Sequence, residues 1–222
     1  MEENSIIIRY NSIIKLIFLA VIAIVILNFF DNSSDEFDGA VMLPIDTKIL
    51  AFGDSITYGY NVETQLSYPS QLSTLLLADV INAGINGELT NQGLQRLPRL
   101  LEKYKPQILI ICHGGNDIIR RKSLIRAKDN IKKMIEIARA KNIHVVLVGV
   151  PMLEVITLST AQIYYEIADE MNVPLEDSAL ETILGDNYLK IDQIHPNAEG
   201  YNLLANSLAN LITSTYLPSE TF

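Results

Sequence analysis

Hydrophobic and polar positions change their period repeatedly along residues 48–216 of this 222-residue chain. Short apolar runs such as KILAF at 48–52 are typical of buried strands, and each is followed by a segment whose apolar residues recur every three or four positions. This alternation predicts an α/β domain with a parallel sheet, because parallel strands need long connections that helices usually supply. We predict strands at 48–52, 79–83, 107–112, 143–148 and near 173–175.

The segments between the predicted strands have the spacing of amphipathic helices. Proline is favoured in a first helical turn, where its missing N–H would have no partner, so Pro69 and Pro196 mark helix starts. Pro98 lies inside another helical segment, and we expect it to bend or restart that helix. The apolar positions of the predicted helices are Leu72, Leu75 and Leu76; Leu94, Leu97, Leu100 and Leu101; Leu124, Ile131, Met134, Ile135 and Ala138; Ile163, Ile167 and Met171; and Leu203, Leu204, Leu208 and Leu211.

The N-terminal part of the sequence contains an apolar stretch of another kind. Residues 16–27 read LIFLAVIAIVIL without a polar side chain, and further apolar residues extend the stretch to 13–30. That length approaches the roughly 20 residues that cross a bilayer. Arg9 and Lys15 precede the stretch and an acidic run follows it, so the positive-inside rule places the N-terminus in the cytoplasm and the rest outside. We expect an uncleaved membrane anchor; a cleaved signal peptide and a buried helix are the alternatives.

The chain therefore divides into segments of different character. The linker is acidic and polar, which is typical of a tether rather than of a packed element. We predict a membrane anchor or signal segment at 1–30, an acidic linker at 31–46, one folded domain at 47–216 and a C-terminal tail at 217–222.

Composition narrows the classes of function open to the folded domain. Apolar residues make up 49 % of the chain, which is enough to form a full core. A formal net charge of −9 argues against a nucleic-acid groove, because such a groove needs a concentrated basic face. The one cysteine, Cys112, cannot form an internal disulfide or a zinc cluster, so the fold relies on its core.

Glycine-containing loops with polar residues follow three of the predicted strands. They read GDS at 53–55, GING at 84–87 and GGND at 114–117. Ligands bind at the carboxyl ends of parallel strands, so we expect the three loops to meet at one edge of the sheet. The sequence thus predicts a functional site at that edge.

Ser55 is the candidate nucleophile of this site. A serine hydroxyl attacks only when a base removes its proton, and the chain has three histidines. We interpret His144, which begins an apolar strand, as structural, while His113 lies at a strand end and could line the site. His195 follows Asp192 by three positions, so the carboxylate can reach Nδ1 and leave Nε2 to face a serine. A turn aspartate beside a surface histidine is the alternative.

Acyl transfer also needs hydrogen-bond donors directed at the developing oxyanion. Backbone N–H groups in glycine turns can approach a reacting atom closely, which suits Gly87 and the N–H of Ser55. Asn116 offers a side-chain amide that is placed by the preceding Gly114 and Gly115. Taken singly, each glycine pair is also compatible with an ordinary strand-to-helix turn.

Four blocks in this order, FGDSITYGY, NAGINGELT, GGND and DQIHPN, resemble the SGNH hydrolases, also called the GDSL esterase/lipase superfamily. The resemblance runs from about residue 48 to residue 212 and is closest to the bacterial periplasmic branch of thioesterases, arylesterases and lysophospholipases. It implies a flavodoxin-like, three-layer α/β/α sandwich around a five-stranded parallel sheet, preceded here by the N-terminal hydrophobic helix. It also implies that no metal and no cofactor are needed.

The same resemblance implies a role for each candidate residue. The implied nucleophile, base and orienting acid are Ser55, His195 and Asp192. The implied oxyanion donors are Ser55, Gly87 and Asn116. The implied supports of the loops are Asp54 and Asp117. One departure is His113, where an apolar residue is more usual; we expect either a packing role at the pocket rim or an influence on the oxyanion side of the pocket.

The sequence therefore predicts a serine esterase of the arylesterase, lysophospholipase or acyl-thioesterase type, working through an acyl-enzyme. A carbohydrate O-deacetylase of the same superfamily is one alternative, although the chain has no tryptophan to stack on a sugar. A membrane-tethered binding module without turnover is the other. We expect a small acyl-ester or lysophospholipid substrate, membrane contact through the N-terminal helix, no nucleic acid and no required protein partner. The expected location is membrane-anchored with the catalytic domain on the periplasmic side, or secreted after signal cleavage.

Overall fold

The computed structural model describes residues 46–154 and 157–216. The predicted segments at 1–30 and 217–222, and all of the linker before residue 46, lie outside the described residues. Within the ranges that the structure describes, no helix is long and apolar enough to cross a bilayer.

Five parallel strands form the central sheet, and a separate antiparallel hairpin adds two more. The strands are β1 Lys48–Gly53, β2 Asp79–Gly84, β3 Ile108–Cys112, β4 His144–Val148, β5 Pro151–Glu154, β6 Thr157–Thr160 and β7 Leu175–Glu176. The sheet order is β2-β1-β3-β4-β7. The α/β prediction with a five-stranded parallel sheet is confirmed. Strands β1 to β4 lie within one residue of their predicted bounds. Strand β7, which is the fifth strand of the sheet, begins two residues later than expected.

The β5–β6 hairpin was not predicted. Pro151 pairs with Thr160 in an antiparallel register, shortly after strand β4 of the central sheet. Its sequence has no Gly or Asn turn pair to signal a hairpin, and its apolar residues read as an extension of β4. The hairpin matters because Val150 and Pro151, at its start, line the cavity described below.

The helices include the five predicted ones and three shorter ones. They are α1 Ser55–Tyr58, α2 Tyr68–Leu76, α3 Thr90–Tyr104, α4 Gly115–Ile119, α5 Leu124–Arg139, α6 Gln162–Met171, α7 Ala179–Gly185 and α8 Ala198–Tyr216. The three missed helices, α1, α4 and α7, have at most seven residues, too few to show an amphipathic period. A further 3₁₀ turn covers Thr64–Leu66.

Pro98 does not restart its helix, so that part of the expectation was wrong. Helix α3 runs without a break from Thr90 to Tyr104 with Pro98 in its interior. Pro98 is exposed, and the hydrogen bond that a proline cannot make is therefore lost on the solvent side of the helix. The inward side of the helix keeps Leu97 and Leu101 buried against the sheet.

Helices pack in two groups around a sheet whose inner strands are buried. Helix α8 contacts α2 and α7, while α5 contacts α3 and α6, which is the grouping expected of a three-layer arrangement. Every residue of β3 is buried, as is typical of a parallel strand covered on both faces. The largest fully buried side chains include Tyr68, Tyr164, Tyr201 and Phe52.

Two glycines allow the strand ends of the sheet to lie close to their neighbours. A Cβ on Gly84, the last residue of β2, would stand 2.1 Å from the backbone nitrogen of Tyr58 in α1. A Cβ on Gly53, the last residue of β1, would stand 2.1 Å from the carbonyl oxygen of Cys112. Any larger residue would force these segments apart, so both glycines set where the first helix begins.

Candidate active site

Ser55 is the first residue of α1 and follows β1 directly. The preceding Asp54 caps this helix, because its Oδ1 accepts a hydrogen bond from the backbone N–H of Ile56 at 3.1 Å. The helix ends at Gly59, whose φ of 84° lies in the left-handed region that favours glycine. A capped helix of four residues therefore holds Ser55 at the carboxyl edge of the sheet.

The structure brings Ser55 together with two residues that lie about 140 positions later in the chain. The Ser55 Oγ lies 3.0 Å from Nε2 of His195, and Nδ1 of His195 lies 2.8 Å from Oδ2 of Asp192. The other carboxylate oxygen, Oδ1, accepts from the backbone N–H groups of Ile194 and His195 at 2.9 Å each. The Tyr60 ring packs on the imidazole with 4.3 Å between centroids. The spacing of three residues thus produces the contact that the sequence predicted.

These contacts determine which nitrogen of His195 carries the proton. Burial by itself raises the pKa of the Asp192 carboxyl, but hydrogen bonds from the His195 ring and from two backbone N–H groups lower it, and the net pKa lies below its usual value. An ionised carboxylate only accepts hydrogen bonds, so Nδ1 donates to it. Nε2 is left as an acceptor for the hydroxyl of Ser55.

Asn116 lines the same cavity as the imidazole and lies in the first turn of α4, shortly after the end of β3. Gly114 precedes it with a φ of 111°, and Nδ2 of Asn116 donates to Oδ2 of Asp54 at 3.1 Å. Asp54 is buried, and burial is the main cause that raises the pKa of its carboxyl. Asp117 accepts from the backbone N–H and the hydroxyl of Thr90, both at 2.9 Å, and so joins this loop to the start of α3.

Gly87 lies in the loop after β2 and faces the same cavity. Its φ of 75° is in the left-handed region, where a side chain would be strained. Its carbonyl oxygen accepts from Nη2 of Arg120 at 3.1 Å, so the orientation of this peptide is tied to the residue that follows α4.

Five of the candidate residues, Asp54, Ser55, Gly87, Asn116 and His195, line a cavity of about 260 Å³. Its walls combine the polar groups above with aliphatic side chains from α4, α7 and the loops beside them. The lining residues include Ile56, Ile118, Ile119, Val150, Leu184 and Ile194. A larger cavity of about 440 Å³ lies beside α5; of the candidate residues only Asp117 lines it, so we assign the chemistry to the smaller one.

His113 is not at the pocket rim, so that expectation was wrong. Its ring is fully buried, it does not line the cavity, and its Nε2 is 3.0 Å from Oε2 of Glu88. His144 lies on β4 and packs against Tyr216, with 4.9 Å between ring centroids. Among the three histidines, only His195 reaches Ser55.

Sequence reasoning missed two groups of residues around the site. One is the cavity wall from Val150 and Leu184, which belongs to elements that were not predicted. The other is the buried contact between Glu88 and Arg96. The sequence offered one signal for this contact: Arg96 follows Gly93 by three positions and so lies on the face of α3 that turns inward.

No described group of three or more His, Cys, Asp or Glu residues is arranged to hold a metal ion. Cys112 is buried at the end of β3, and burial raises the pKa of its thiol well above the usual range. A buried, protonated thiol is a poor nucleophile, so Cys112 is not a reactive group of this site.

A hydroxyl, an imidazole and a carboxylate in series, at the carboxyl edge of a parallel sheet, define the class of α/β serine hydrolases. The chain belongs to the GDSL-like Lipase/Acylhydrolase family, which matches residues 51–203. It is therefore a hydrolase of carboxylic esters.

Named relatives agree with this assignment. The chain is 30 % identical over 172 residues to an arylesterase of Vibrio mimicus, covering 73 % of this chain and 86 % of the relative. It is 28 % identical over 174 residues to the thioesterase 1/protease 1/lysophospholipase L1 of Escherichia coli K12, covering 72 % and 81 % respectively. The crystal structure of TesA is similar with a TM-score of 0.70 and 26 % identity, covering 76 % of this chain and 99 % of that one.

Proposed function

We propose that this chain hydrolyses esters through an acyl-enzyme on Ser55. The observation that carries the proposal is the continuous series from Ser55 Oγ to His195 Nε2 at 3.0 Å and from His195 Nδ1 to Asp192 Oδ2 at 2.8 Å. Ser55 Oγ bonds to the carbonyl carbon of the ester while its proton passes to Nε2. Asp192 keeps Nδ1 protonated and stabilises the imidazolium that forms.

The second half of the reaction uses the same groups. The bond from the carbonyl carbon to the leaving oxygen or sulfur breaks, and the proton on Nε2 goes to that leaving group. A water molecule then gives its proton to Nε2 of His195 and attacks the acyl carbon. The carboxylic acid leaves, and the proton returns from Nε2 to the Ser55 oxygen.

Negative charge that develops on the carbonyl oxygen needs hydrogen-bond donors. We assign this role to the backbone N–H groups of Ser55 and Gly87 and to the side-chain amide of Asn116, because these three residues line the cavity. We assign Asp54 and Asp117 to holding these donors, since Asp54 accepts from the Asn116 amide and Asp117 joins the same loop to α3.

The cavity wall supports an acyl group as the recognised part of the substrate. Its aliphatic lining from Ile118, Val150 and Leu184 fits a hydrocarbon chain, while Tyr60 is the one aromatic residue among the lining residues. Carbohydrate O-deacetylation is less well supported, since the chain has no tryptophan to stack on a sugar ring. Relatives that are named for aryl esters, thioesters and lysophospholipids give the range of leaving groups to be tested.

The location that we propose follows from charges in the N-terminal part of the sequence. Arg9 and Lys15 before the apolar stretch and acidic residues after it support an anchor or signal with the catalytic domain on the extracytoplasmic side. Acyl-CoA is a cytoplasmic metabolite, so thioester hydrolysis there would be an in vitro activity. Lysophospholipids and other membrane-derived acyl esters are the substrates that fit this location.

The proposal is tested by replacing the nucleophile. Ser55→Ala should abolish both turnover of p-nitrophenyl esters and stoichiometric labelling by a fluorophosphonate, while Ser214→Ala, an exposed hydroxyl on α8, should leave both intact. Labelling that persists in Ser55→Ala would place the nucleophile elsewhere. A profile from acetate to palmitate esters, with lysophospholipid and acetylated xylan alongside, then separates acyl-ester hydrolysis from O-deacetylation.

A further inference from the structure

A partly buried ionic cluster lies next to the strand ends that precede the loops of the active site. The carboxylate of Glu88, which is 5 % exposed, accepts from Nε of Arg96 at Oε1 and from Nη2 of Arg96 at Oε2, both at 2.6 Å. Oε2 also lies 3.0 Å from Nε2 of the fully buried His113. We call these three residues the Glu88 cluster. None of them lines the cavity, so the cluster does not touch a bound ester.

The cluster determines how His113 is used. Burial by itself raises the pKa of the Glu88 carboxyl, but hydrogen bonds from His113 and Arg96 lower it below its usual value. Glu88 is therefore an acceptor, and His113 donates to it from Nε2. Within the described residues, Nδ1 of His113 has no hydrogen-bond partner. The ring is committed to Glu88 and cannot act as the base for Ser55.

Arg96 connects the cluster to the ends of two strands. In addition to its contact with Glu88, Nη2 of Arg96 donates to the carbonyl oxygens of Ala83 at 2.8 Å and Gly53 at 3.3 Å. The guanidinium also lies over the Phe52 ring, 4.2 Å from its centroid. One planar side chain thus bridges the ends of β1 and β2, and a bidentate carboxylate holds that side chain in place.

His113 connects the cluster to the end of β3. Its carbonyl oxygen accepts from the hydroxyl of Tyr164 at 2.8 Å, so its backbone is held as well as its ring. Helix α3 can approach the ring only because residue 93 is glycine: a Cβ there would stand 2.4 Å from Nε2 of His113. The loop that carries Asn116 begins with the next residue.

The cluster and its contact at Gly53 therefore lie close in the chain to three residues of the proposed mechanism. Gly53, which accepts from Arg96, precedes Ser55 by two positions. Glu88 follows Gly87 by one position, and His113 precedes Asn116 by three. Nucleophile and oxyanion donors come from three separate loops, so their relative distances depend on what holds those loops together. Arg96 donates to Gly53 of the first loop, while Glu88 and His113 directly adjoin the second and third loops in the chain and contact each other.

We propose that Glu88 and Arg96 are positioning residues for the oxyanion hole, whose buried ion pair sets the distances between the nucleophile and its two neighbouring donor loops. This inference rests on the function proposed above. A displacement of about 1 Å in a reacting constellation costs on the order of 100-fold in rate. Oxyanion donors act on the transition state, so the loss should be in kcat and not in KM.

Two variants of the full chain test the proposal by steady-state kinetics on p-nitrophenyl butyrate. Glu88→Gln keeps the shape but turns an amide nitrogen toward the N–H donors of Arg96 and His113. Arg96→Lys keeps the positive charge but loses the bidentate contact with Glu88. Each should lower kcat by about 10–100-fold with KM changed by about twofold or less. The controls are Glu102→Gln and Arg99→Lys, which replace exposed residues of α3, the helix that carries Arg96. Their kcat and KM should match those of the unmodified chain.

A double-mutant cycle separates positioning from general damage to the fold. If Glu88 acts through the oxyanion loops, Glu88→Gln should cost much less in an Asn116→Ala background than alone. Full multiplication of the two losses, or an unchanged kcat in Glu88→Gln, would overturn the proposal. If Glu88→Gln does not fold, the same cycle with Arg96→Lys distinguishes the two cases. Turnover that survives Ser55→Ala would contradict the proposed function itself. An inactive Ser55→Ala variant together with fully active cluster variants would contradict only the positioning role.

Discussion

Asn116 donates a hydrogen bond from Nδ2 to Oδ2 of Asp54 at 3.1 Å, although 62 positions separate the two residues in the chain. A primary amide has two N–H donors, and this contact occupies one of them. Asp54 is itself held, since its other oxygen accepts from Ile56. Asp54 therefore orients the amide of Asn116, and in the proposed mechanism the second N–H donates to the substrate oxygen.

Replacement of this amide should slow the chemical step. We expect Asn116→Ala to lower kcat by about 10²–10³, the usual loss for one oxyanion donor, with little change in KM. Asn210→Ala, an exposed residue of α8, is the matched control and should be unaffected. Steady-state kinetics on a p-nitrophenyl ester measure both constants. A change confined to KM would show that Asn116 contributes only uniform binding to substrate and transition state.

His195 and His113 should differ in their effect on turnover. His195→Ala removes the ring that faces Ser55 at 3.0 Å and should reduce activity to the background. His113→Leu removes the contact of this ring with Glu88 but leaves the Glu88–Arg96 pair in place, so the loss should not exceed the roughly 10–100-fold expected of the cluster variants and should be much shallower than that of His195→Ala. The same ester assay, with circular dichroism to confirm folding, compares them. An equally deep loss in both variants would contradict the assignment of His195 as base.

Two glycines on the chain should respond oppositely to one added methyl group. Gly84→Ala would place a Cβ 2.1 Å from the backbone nitrogen of Tyr58, so we expect a destabilisation of about 1–3 kcal/mol or more. Gly185→Ala meets nothing within 4 Å, and should be neutral or stabilise by up to about 1 kcal/mol. Urea unfolding measures both free energies. Equal stabilities would mean that α1 can move away from β2 at little cost.

A surface ion-pair network between α5 and α6 should make stability depend on pH. Hydrogen bonds from Lys128 and Lys132 lower the pKa of Glu170 from 4.5 to about 2. Because the pKa of Glu170 is lower in the folded chain, the unfolded chain binds a proton at this carboxyl more readily. The stabilisation from the two ion pairs is therefore complete above about pH 4.5 and is lost as pH falls through about 2. Glu170→Gln should therefore lower Tm slightly at pH 7, and the difference from the unmodified chain should shrink between these pH values.

Salt and a neighbouring residue provide the controls for that measurement. Glu170 is exposed, so 1 M NaCl should remove most of its contribution. Glu136→Gln, also exposed and on α5, should not change Tm at either pH. A difference between Glu170→Gln and the unmodified chain that stays constant with pH would mean that the two lysines do not stabilise the charged form.

The proposed topology is tested on intact cells. The full-length chain should fractionate with membranes, and protease added to spheroplasts should digest the catalytic domain, since the positive residues precede the apolar stretch at 13–30. Protection in intact spheroplasts, with digestion only after lysis, would reverse the orientation. A shortened soluble form would show that the N-terminal segment is a cleaved signal.

Local sequence pattern was sufficient to predict the fold class, whereas the roles of the site residues came from the family resemblance and stay a prediction. Apolar runs such as β1 and β3 are buried on both faces, and periodic segments such as α5 are long enough to show a 3.6-residue repeat, so their positions follow from local pattern alone. Ser55, Asp192 and His195 were found for a related reason. Loops after parallel strands share one edge of the sheet, and a spacing of three residues already brings a carboxylate to an imidazole.

Packing between distant segments, in contrast, determines what surrounds and holds these residues. The short helices α1, α4 and α7 and the β5–β6 hairpin carry too few residues for a periodic signal, and long-range packing forms them. The position of His113 depends on Glu88, 25 positions earlier, and on the space left at Gly93. A lone histidine at a strand end has the same local pattern whether its ring turns to solvent or to a buried carboxylate. Contacts between residues far apart in the chain decide between the two, and a local pattern contains no information about them.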